Sequence, residues 1–239
     1  MNEILDYWNR QPCGSLHPDP TTQRYFVQPH IPDFAQFARW KGKYVLEIGC
    51  GIGTDTLEFC RGEAKVWAID ASQKSILIAA RRIFQEGFVS NCFPRMADAE
   101  DFLPTGPYDL IYSFGVLHHT PHPERVLSRA WHQLANDGEL RIMLYAKWSW
   151  KHLLGFQPEA QAGCPLVKWY SEREARRLLE SCGFKVVSIR KTHIFPWRID
   201  KYVQHEYVKA FPWNITPAWL FKWLEGIMGH HLLLVATKQ

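Results

Sequence analysis

The sequence lacks a C-x-x-C pair, an apolar run of 18 residues and a basic, apolar leader at its start. Six cysteines are scattered along the 239 residues, so neither a zinc module nor a dense disulfide framework is predicted. Without a long apolar run there is no candidate transmembrane helix, and the opening segment 1–6 does not resemble a signal peptide. We therefore expect reduced thiols, a cytoplasmic location and no membrane partner.

The sequence also has little excess charge of either sign. Lys and Arg total 28 against 24 for Asp and Glu, which gives a net charge of +4. This surplus is too small to indicate a nucleic-acid surface by itself. With 46% hydrophobic residues the chain can bury a sizeable core, which excludes general disorder.

Aromatic residues, in contrast, are abundant. They make up 14% of the chain, include eleven tryptophans, and concentrate in residues 7–40 and 148–223. Aromatics at this density either fill an extra packed layer or line a ligand pocket, and composition does not separate the two.

Between residues 44 and 144 short apolar runs alternate with segments of helical periodicity, which predicts an α/β fold. The predicted strands are 44–48, 65–69, 88–94, 110–113, 140–144, 184–190 and 231–237. The predicted helices are 54–61, 72–84, 123–134 and 171–181, with Thr54, Ser72 and Ser171 as expected caps. Three proline- and aromatic-rich segments fall outside this scheme. We interpret 1–43 as an N-terminal cap and 146–170 and 192–229 as inserts in a domain spanning 44–239.

The most informative segment follows the first predicted strand. Gly49, Gly51 and Gly53 alternate between the strand and the next helix, where glycine lets the backbone turn sharply and approach a ligand. A dinucleotide site would require glycine at position 54, which is threonine, so a dehydrogenase is disfavoured. Asp70 ends the second strand, where a carboxylate can accept hydrogen bonds from both hydroxyls of a ribose.

Together these motifs resemble the class I S-adenosylmethionine-dependent methyltransferases. The likeness rests on E-x-G-x-G-x-G from Glu47 to Gly53, on Asp70 and Asp98, and on the strand order up to 231–236. It is nearest to the ubiquinone and menaquinone (type 11) branch, in which Val-Leu-His-His often follows the fourth strand, as at 116–119 here. The resemblance implies a Rossmann-like sheet of seven strands with helices on both faces and an antiparallel last strand.

The resemblance also implies S-adenosyl-L-methionine as cofactor and a set of residues that bind it. Asp70 would hold the ribose, Asp98 the adenine amino group, and Phe114 would border the methionine end. The full implied set is Glu47, Gly49, Gly51, Gly53, Asp70, Ala71, Asp98, Ala99 and Phe114. The neighbouring Glu100 and Asp101 are expected to face solvent.

Methyl transfer from a sulfonium mainly requires alignment and exclusion of water, and a base only when the acceptor carries a proton. His119 and His118 are the candidate bases because they follow the fourth strand, although a structural role for both is an open alternative. The aromatic segments are expected to form the acceptor pocket. Its candidate residues are Tyr7, Tyr25, Tyr145, Trp197 and Arg198. No metal ligand set is predicted.

We expect a small-molecule acceptor methylated on oxygen, nitrogen or a carboxylate. A nucleic-acid methyltransferase is less favoured, because Ser113-Phe114-Gly115-Val116 stands where base-amino methyltransferases carry Asp/Asn-Pro-Pro-aromatic. A scaffold that binds the cofactor without catalysis is a third possibility. The sequence predicts neither the acceptor nor the oligomeric state.

Overall fold

The computed structural model describes residues 2–10, 12–15, 17–153 and 164–239. Part of the predicted insert 146–170 therefore lies outside the described residues.

The strands form one sheet, and each predicted strand is present. In the described residues they are β1 Tyr44–Ile48, β2 Lys65–Asp70, β3 Cys92–Met96, β4 Tyr108–Phe114, β5 Leu134–Tyr145, β6 Phe184–Thr192 and β7 His231–Lys238. β3 begins later than predicted, because residues 88–91 form a turn in which Asn91 N donates to Phe88 O. β5 begins earlier than predicted, because Leu134 already pairs with Tyr108 of β4. A register shift separates this pair from the regular pairing that starts at Leu110 and Glu139.

The strand order is β3-β2-β1-β4-β5-β7-β6. Neighbours among β1 to β5 are parallel, whereas β7 runs antiparallel to both β5 and β6. This confirms the expected seven-stranded sheet with an antiparallel last strand. The chain changes direction across the sheet between β1 and β4, and α/β sheets bind ligands at such a switch point.

Short helices form in the segments for which no helix or strand was predicted. The helices are α1 Asn2–Arg10, α2 Pro20–Val27, α3 Ile31–Ala35, α4 Thr54–Arg61, α5 Gln73–Gln85, α6 Pro123–Gln133, α7 Trp150–Leu153, α8 Glu172–Ser181, α9 Ile199–Tyr202 and α10 Ala218–Met228. Two short 3-10 helices cover Phe37–Trp40 and Leu117–His119.

Two of the three predicted helix caps are present. Ser72 accepts from Ser75 N at the start of α5, and Ser171 forms a capping box with Glu174 at the start of α8. The expectation for Thr54 is wrong, because Gly53 is the N-cap of α4 at φ 77°. The Thr54 hydroxyl instead accepts a 3.0 Å hydrogen bond from Arg82.

Strand residues alternate between two hydrophobic clusters, one on each face of the sheet. Leu46 and Ile48 of β1 pack in the cluster that contains α6 and α8. Val45 packs in the other, with residues of α3, α4 and α5. Helices therefore cover both faces, as predicted, and the N-terminal segment adds to one of them. No helix in the described part of the chain is long and apolar enough to cross a bilayer.

Candidate active site

A cleft of about 250 Å³ runs across the edge of the sheet where the parallel strands end. Its floor is formed by the loops after β1, β2, β3 and β4 and by the ends of β5 and β7. Helix α1 covers it through Ile4, Leu5 and Trp8. Neighbouring strands lie about 4.8 Å apart, so the ends of β2 and β5, which are three strand spacings apart in the sheet, are separated by about 14 Å.

The three glycines of the loop serve different purposes, and all have positive φ. A Cβ on Gly49 would lie 2.1 Å from Val116 Cγ2, so this position packs against the loop after β4. A Cβ on Gly53 would lie 3.1 Å from Ala79 Cβ of α5. At Gly51 nothing lies within 4 Å, and the residue lines the cleft. Gly51 is therefore the position where a ligand can approach bare backbone, and Gly53 does not line the cleft.

Asp70, at the end of β2, lines the cleft and is held by two backbone N–H groups. One carboxylate oxygen accepts from Gly51 N at 2.9 Å and the other from Ser72 N at 2.8 Å. Burial raises the pKa of Asp70, and these two donors partly offset the increase. The bonds fix the carboxylate orientation and leave each oxygen a further lone pair.

Asp98 and Ala99 follow β3 and also line the cleft. Asp98 Oδ1 accepts from Glu100 N at 2.9 Å, which orders the turn. The expectation that Glu100 faces solvent is wrong, since it is 3% exposed. Its carboxylate accepts from His122 N at 2.8 Å and thereby ties the turn after β3 to the start of α6. Asp101 is exposed, as expected.

Glu47 lies on the same floor and is almost fully buried. Its carboxylate accepts a hydrogen bond from the Thr56 hydroxyl. Burial, together with the nearby carboxylate of Asp55, raises the pKa of Glu47 well above its usual value.

Sequence reasoning missed the group that sits beside Glu47. Asp55 of α4 is 2% exposed and accepts two hydrogen bonds from Arg24 of α2, at 2.7 and 2.6 Å. The hydroxyls of Tyr25 and Tyr112 each donate to the same carboxylate at 3.0 Å. Burial alone would lower the pKa of Arg24, but the carboxylate of Asp55 raises it. This network fastens the N-terminal segment to the glycine loop's helix. The local sequence signal was limited to an acid in the first turn of α4.

The β4–β5–β7 end of the cleft is aromatic and rich in histidine. Phe114, Met143, Tyr145, His119 and His231 line it. Arg24 lies over the Phe114 ring, with 5.3 Å between guanidinium carbon and ring centroid. The rings of this wall favour a ligand with apolar surface, and the histidines and Tyr145 add a few polar atoms.

Three histidines form a cluster at this wall, in which His193 and His231 are buried and His30 is half-buried. His30 Nε2 and His231 Nδ1 are 2.9 Å apart, and the His193 ring centroid lies 4.4 Å from that of His231. Burial lowers the pKa of His30 to about 2 and that of His193 to about 3. These rings are therefore neutral at pH 7. The sequence scatters the three over 201 positions, so no local pattern predicts the cluster.

The two candidate bases occupy different positions. His119 lines the cleft, whereas His118 does not and stacks on Tyr145 with ring centroids 3.6 Å apart. His119 Nδ1 lies 2.8 Å from the carbonyl oxygen of Leu166, which can only accept, so Nδ1 carries the hydrogen. In the neutral ring Nε2 then holds the lone pair, and it has no hydrogen-bond partner within the described ranges. Burial lowers the pKa of His119 to about 4.

Of the five residues predicted to bind the acceptor, only Tyr145 lines the cleft. Tyr25 bonds to Asp55 beneath it, and Tyr7 packs edge-on against Trp8. Trp197 stacks with Phe26, and Arg198 forms an exposed ion pair with Asp200. The structure therefore brings Tyr145 to the site and leaves the other four outside the lining, and their role in binding the acceptor stays a prediction.

The lining suits the cofactor that the resemblance implies. Two acids, Asp70 and Asp98, lie on the β2–β3 side to accept from hydroxyl and amino groups, and Gly51 leaves open space beside them. The ion pair of Arg24 and Asp55 and the buried acid Glu47 also line the cleft. In the described residues no group of three or more His, Cys, Asp or Glu side chains is arranged to hold a metal ion.

Comparison with known proteins agrees with this geometry. A family profile described as a methyltransferase domain matches residues 22–189. An uncharacterized protein of Synechococcus sp. is 35% identical over 107 residues, which are 43% of this chain and 25% of that protein. The ubiquinone biosynthesis O-methyltransferase of Azoarcus sp. is 25% identical over 158 residues, 62% of this chain and 66% of that enzyme. The chain thus spans a quarter of the first relative and just under two thirds of the second.

Among solved structures, the magnesium protoporphyrin IX methyltransferase of Synechocystis PCC 6803 with bound SAH superposes with a TM-score of 0.65. The match covers 99% of this chain and 98% of that chain at 16% identity, so it supports the fold alone. The family profile carries the assignment, because it covers more than half of the chain and includes the glycine loop, Asp70 and Asp98. This chain belongs to the methyltransferase domain family, within the class I S-adenosylmethionine-dependent methyltransferases.

Proposed function

We propose that the protein methylates a small-molecule acceptor bound at the aromatic end of the cleft. The observation that carries this proposal is the cover over the site. Ile4, Leu5 and Trp8 of α1 line the same cavity as the glycine loop and Phe114. A covered cleft with an apolar wall suits a small, largely apolar acceptor better than a base held in a nucleic acid.

S-adenosylmethionine, when bound, supplies a methyl group already activated on a sulfonium. Asp70 and Asp98 would accept from its sugar and adenine, and the bare backbone at Gly51 would lie against it. Glu47, held by Thr56, would offset positive charge near the glycine loop. The main task left to the protein is to orient the acceptor and exclude water.

Phe114, Met143 and Tyr145 would orient the acceptor and keep water out of the reaction. An acceptor hydroxyl or amine loses a proton on methylation, and we assign its removal to His119 Nε2. The support is the Leu166 contact at 2.8 Å, which places the ring hydrogen on Nδ1. His118 is better suited to positioning, because its ring stacks on Tyr145.

The test is transfer of a labelled methyl group from S-adenosylmethionine to a size-fractionated cell extract. We expect label in the small-molecule fraction, with loss of signal in Asp70→Asn and retention in Asp101→Asn, a matched exposed acid. Follow-up with phenols, amines, carboxylates and thiols would identify the acceptor atom. Label found only in acid-precipitable RNA or protein would contradict a small-molecule acceptor.

A further inference from the structure

Five large apolar side chains in α10 and in the segment just before it are exposed outside the cleft. They are spaced four residues apart and are exposed by 51–78%: Phe211 78%, Ile215 69%, Trp219 73%, Trp223 59% and Ile227 51%. The last three lie on one face of α10, because residues four apart are neighbours on a helix. We name these five residues the 211–227 stripe. Isolated exposed apolar residues are ordinary, but three large ones on one helix face, with two more in the turn segment before it, mark an interaction surface.

A neighbouring side of α10, about 100° round the helix from the stripe, holds the helix in place. α10 packs against β6, and Leu220, Leu224 and Met228 are half-buried. Glu225 accepts from Ile194 N at 3.4 Å. The stripe is thus the outward face of an anchored helix.

Positive charge flanks the stripe. Residues 207–230 contain the two lysines Lys209 and Lys222 and a single acid, Glu225. Lys222 is exposed between the two tryptophans, and Lys191 donates to Ile227 O at 3.2 Å. Burial raises the pKa of Glu225. The local field therefore favours an anionic partner.

We propose that the 211–227 stripe docks on the surface of an anionic lipid bilayer. Tryptophan favours the boundary between water and lipid, and helices with an apolar aromatic face beside lysines lie in that boundary. A second copy of this chain fits less well. Five side chains are few compared with the roughly 20–30 residues per partner of a stable interface.

Because the sequence contains no candidate spanning segment, we expected no membrane partner. A helix that lies on a bilayer needs no such segment. Only Gly229 and His230 separate α10 from His231, which lines the cleft. Docking would therefore hold the cleft beside the lipid phase, whatever the acceptor is.

Co-sedimentation of the full chain with lipid vesicles tests the proposal without relying on methyl transfer. One vesicle set is phosphatidylcholine alone, and the other contains about 30% phosphatidylglycerol, so that only the second is anionic. The test variant is Trp219→Glu with Trp223→Glu. The matched control is Leu77→Glu with Phe84→Glu, which alters two equally exposed apolar residues of α5. Far-ultraviolet circular dichroism verifies that each variant folds.

We expect the tryptophan variant to lose at least about tenfold in partitioning to anionic vesicles, and the α5 variant to match the unaltered chain. Lys222→Ala should weaken partitioning about fivefold on anionic vesicles and leave neutral ones unchanged. The proposal is overturned if the unaltered chain does not sediment with anionic vesicles, or if both paired variants behave alike. It is also overturned if the tryptophan variant only converts a dimer to a monomer.

Discussion

Arg24 and Asp55 join the N-terminal segment to the nucleotide-binding half of the fold through a bidentate ion pair at 2.7 and 2.6 Å. Both residues line the cleft, and Tyr25 and Tyr112 complete the hydrogen bonding of the carboxylate. Because Asp55 is 2% exposed, its charge depends on Arg24 for compensation. The pair makes α2 part of the same folding unit as the sheet.

Arg24→Leu should lower the free energy of unfolding by about 3 kcal/mol, because it leaves a buried carboxylate unpaired. Urea denaturation followed by fluorescence measures this change. Arg198→Leu is the control, since it breaks an exposed pair with Asp200, and exposed ion pairs contribute little to stability. Equal losses in the two variants would show that the Arg24 pair has no special role in stability.

Alanine at Gly49 and at Gly51 should have different consequences. Gly49→Ala places a methyl group 2.1 Å from Val116 Cγ2, so about 2–4 kcal/mol of stability should be lost through overpacking and positive φ. Gly51→Ala meets no neighbour, and only about 1 kcal/mol of strain is expected.

Gly51→Ala should instead weaken cofactor binding, because its methyl group enters the cleft. Thermal unfolding and calorimetric titration with S-adenosylmethionine separate the two effects. A destabilised Gly51→Ala with unchanged cofactor affinity would contradict the proposed contact with bare backbone.

His119→Gln should reduce kcat by about 10²- to 10⁴-fold while cofactor affinity is retained, if His119 removes the acceptor's proton. A base acts in its unprotonated form. With a pKa of about 4, His119 should make the rate rise with pH only up to about pH 5 and contribute no further change above it. The exposed His122 is the matched control, and His122→Gln should leave kcat unchanged. A fully active His119→Gln would indicate an acceptor that arrives without a proton.

The buried histidines should make the protein less stable in mild acid. Their pKa in the folded protein, about 3 for His193 and about 2 for His30, lies below the value of about 6.5 in an unfolded chain. The unfolded state therefore binds more protons below pH 6.5, and folding stability falls as the pH decreases. Each such histidine should contribute a loss of about 1 kcal/mol between pH 7 and pH 5.5.

His193→Asn isolates one of these contributions. Asparagine tolerates the positive φ of 71° at this position. The difference in unfolding free energy between the two pH values should be smaller in the variant by about 1 kcal/mol. Asp70 and Glu47 have raised pKa values, so their effect on stability changes with pH in the opposite direction. Both residues are present in both proteins, so their contributions cancel when the two pH-dependent changes in unfolding free energy are compared. An unchanged difference would mean that His193 takes up its proton over the same pH range in the folded and the unfolded protein.

Sequence reasoning was reliable where function depends on local backbone. The glycine loop, Asp70 and Asp98 each follow the end of a strand, and parallel strands end at one edge of the sheet, so their meeting was predictable. Sequence reasoning failed for Glu100, which was expected to face solvent. Its hydrogen bond from His122 N depends on how α6 meets the turn after β3. Four of the five residues predicted for the acceptor pocket lie outside the lining, since aromatic content does not indicate which rings face a cavity.

The sequence by itself determined the order of strands, the glycine turns and the acids at the strand ends, because these follow from residue type and spacing along a few neighbouring positions. Only the tertiary structure decided that Arg24 reaches Asp55, that His30 meets His231 and that the 211–227 stripe faces outward. Such relationships join residues far apart in the chain or depend on which face of a helix is covered. They are fixed by how the N-terminal segment and the last insert pack on the sheet.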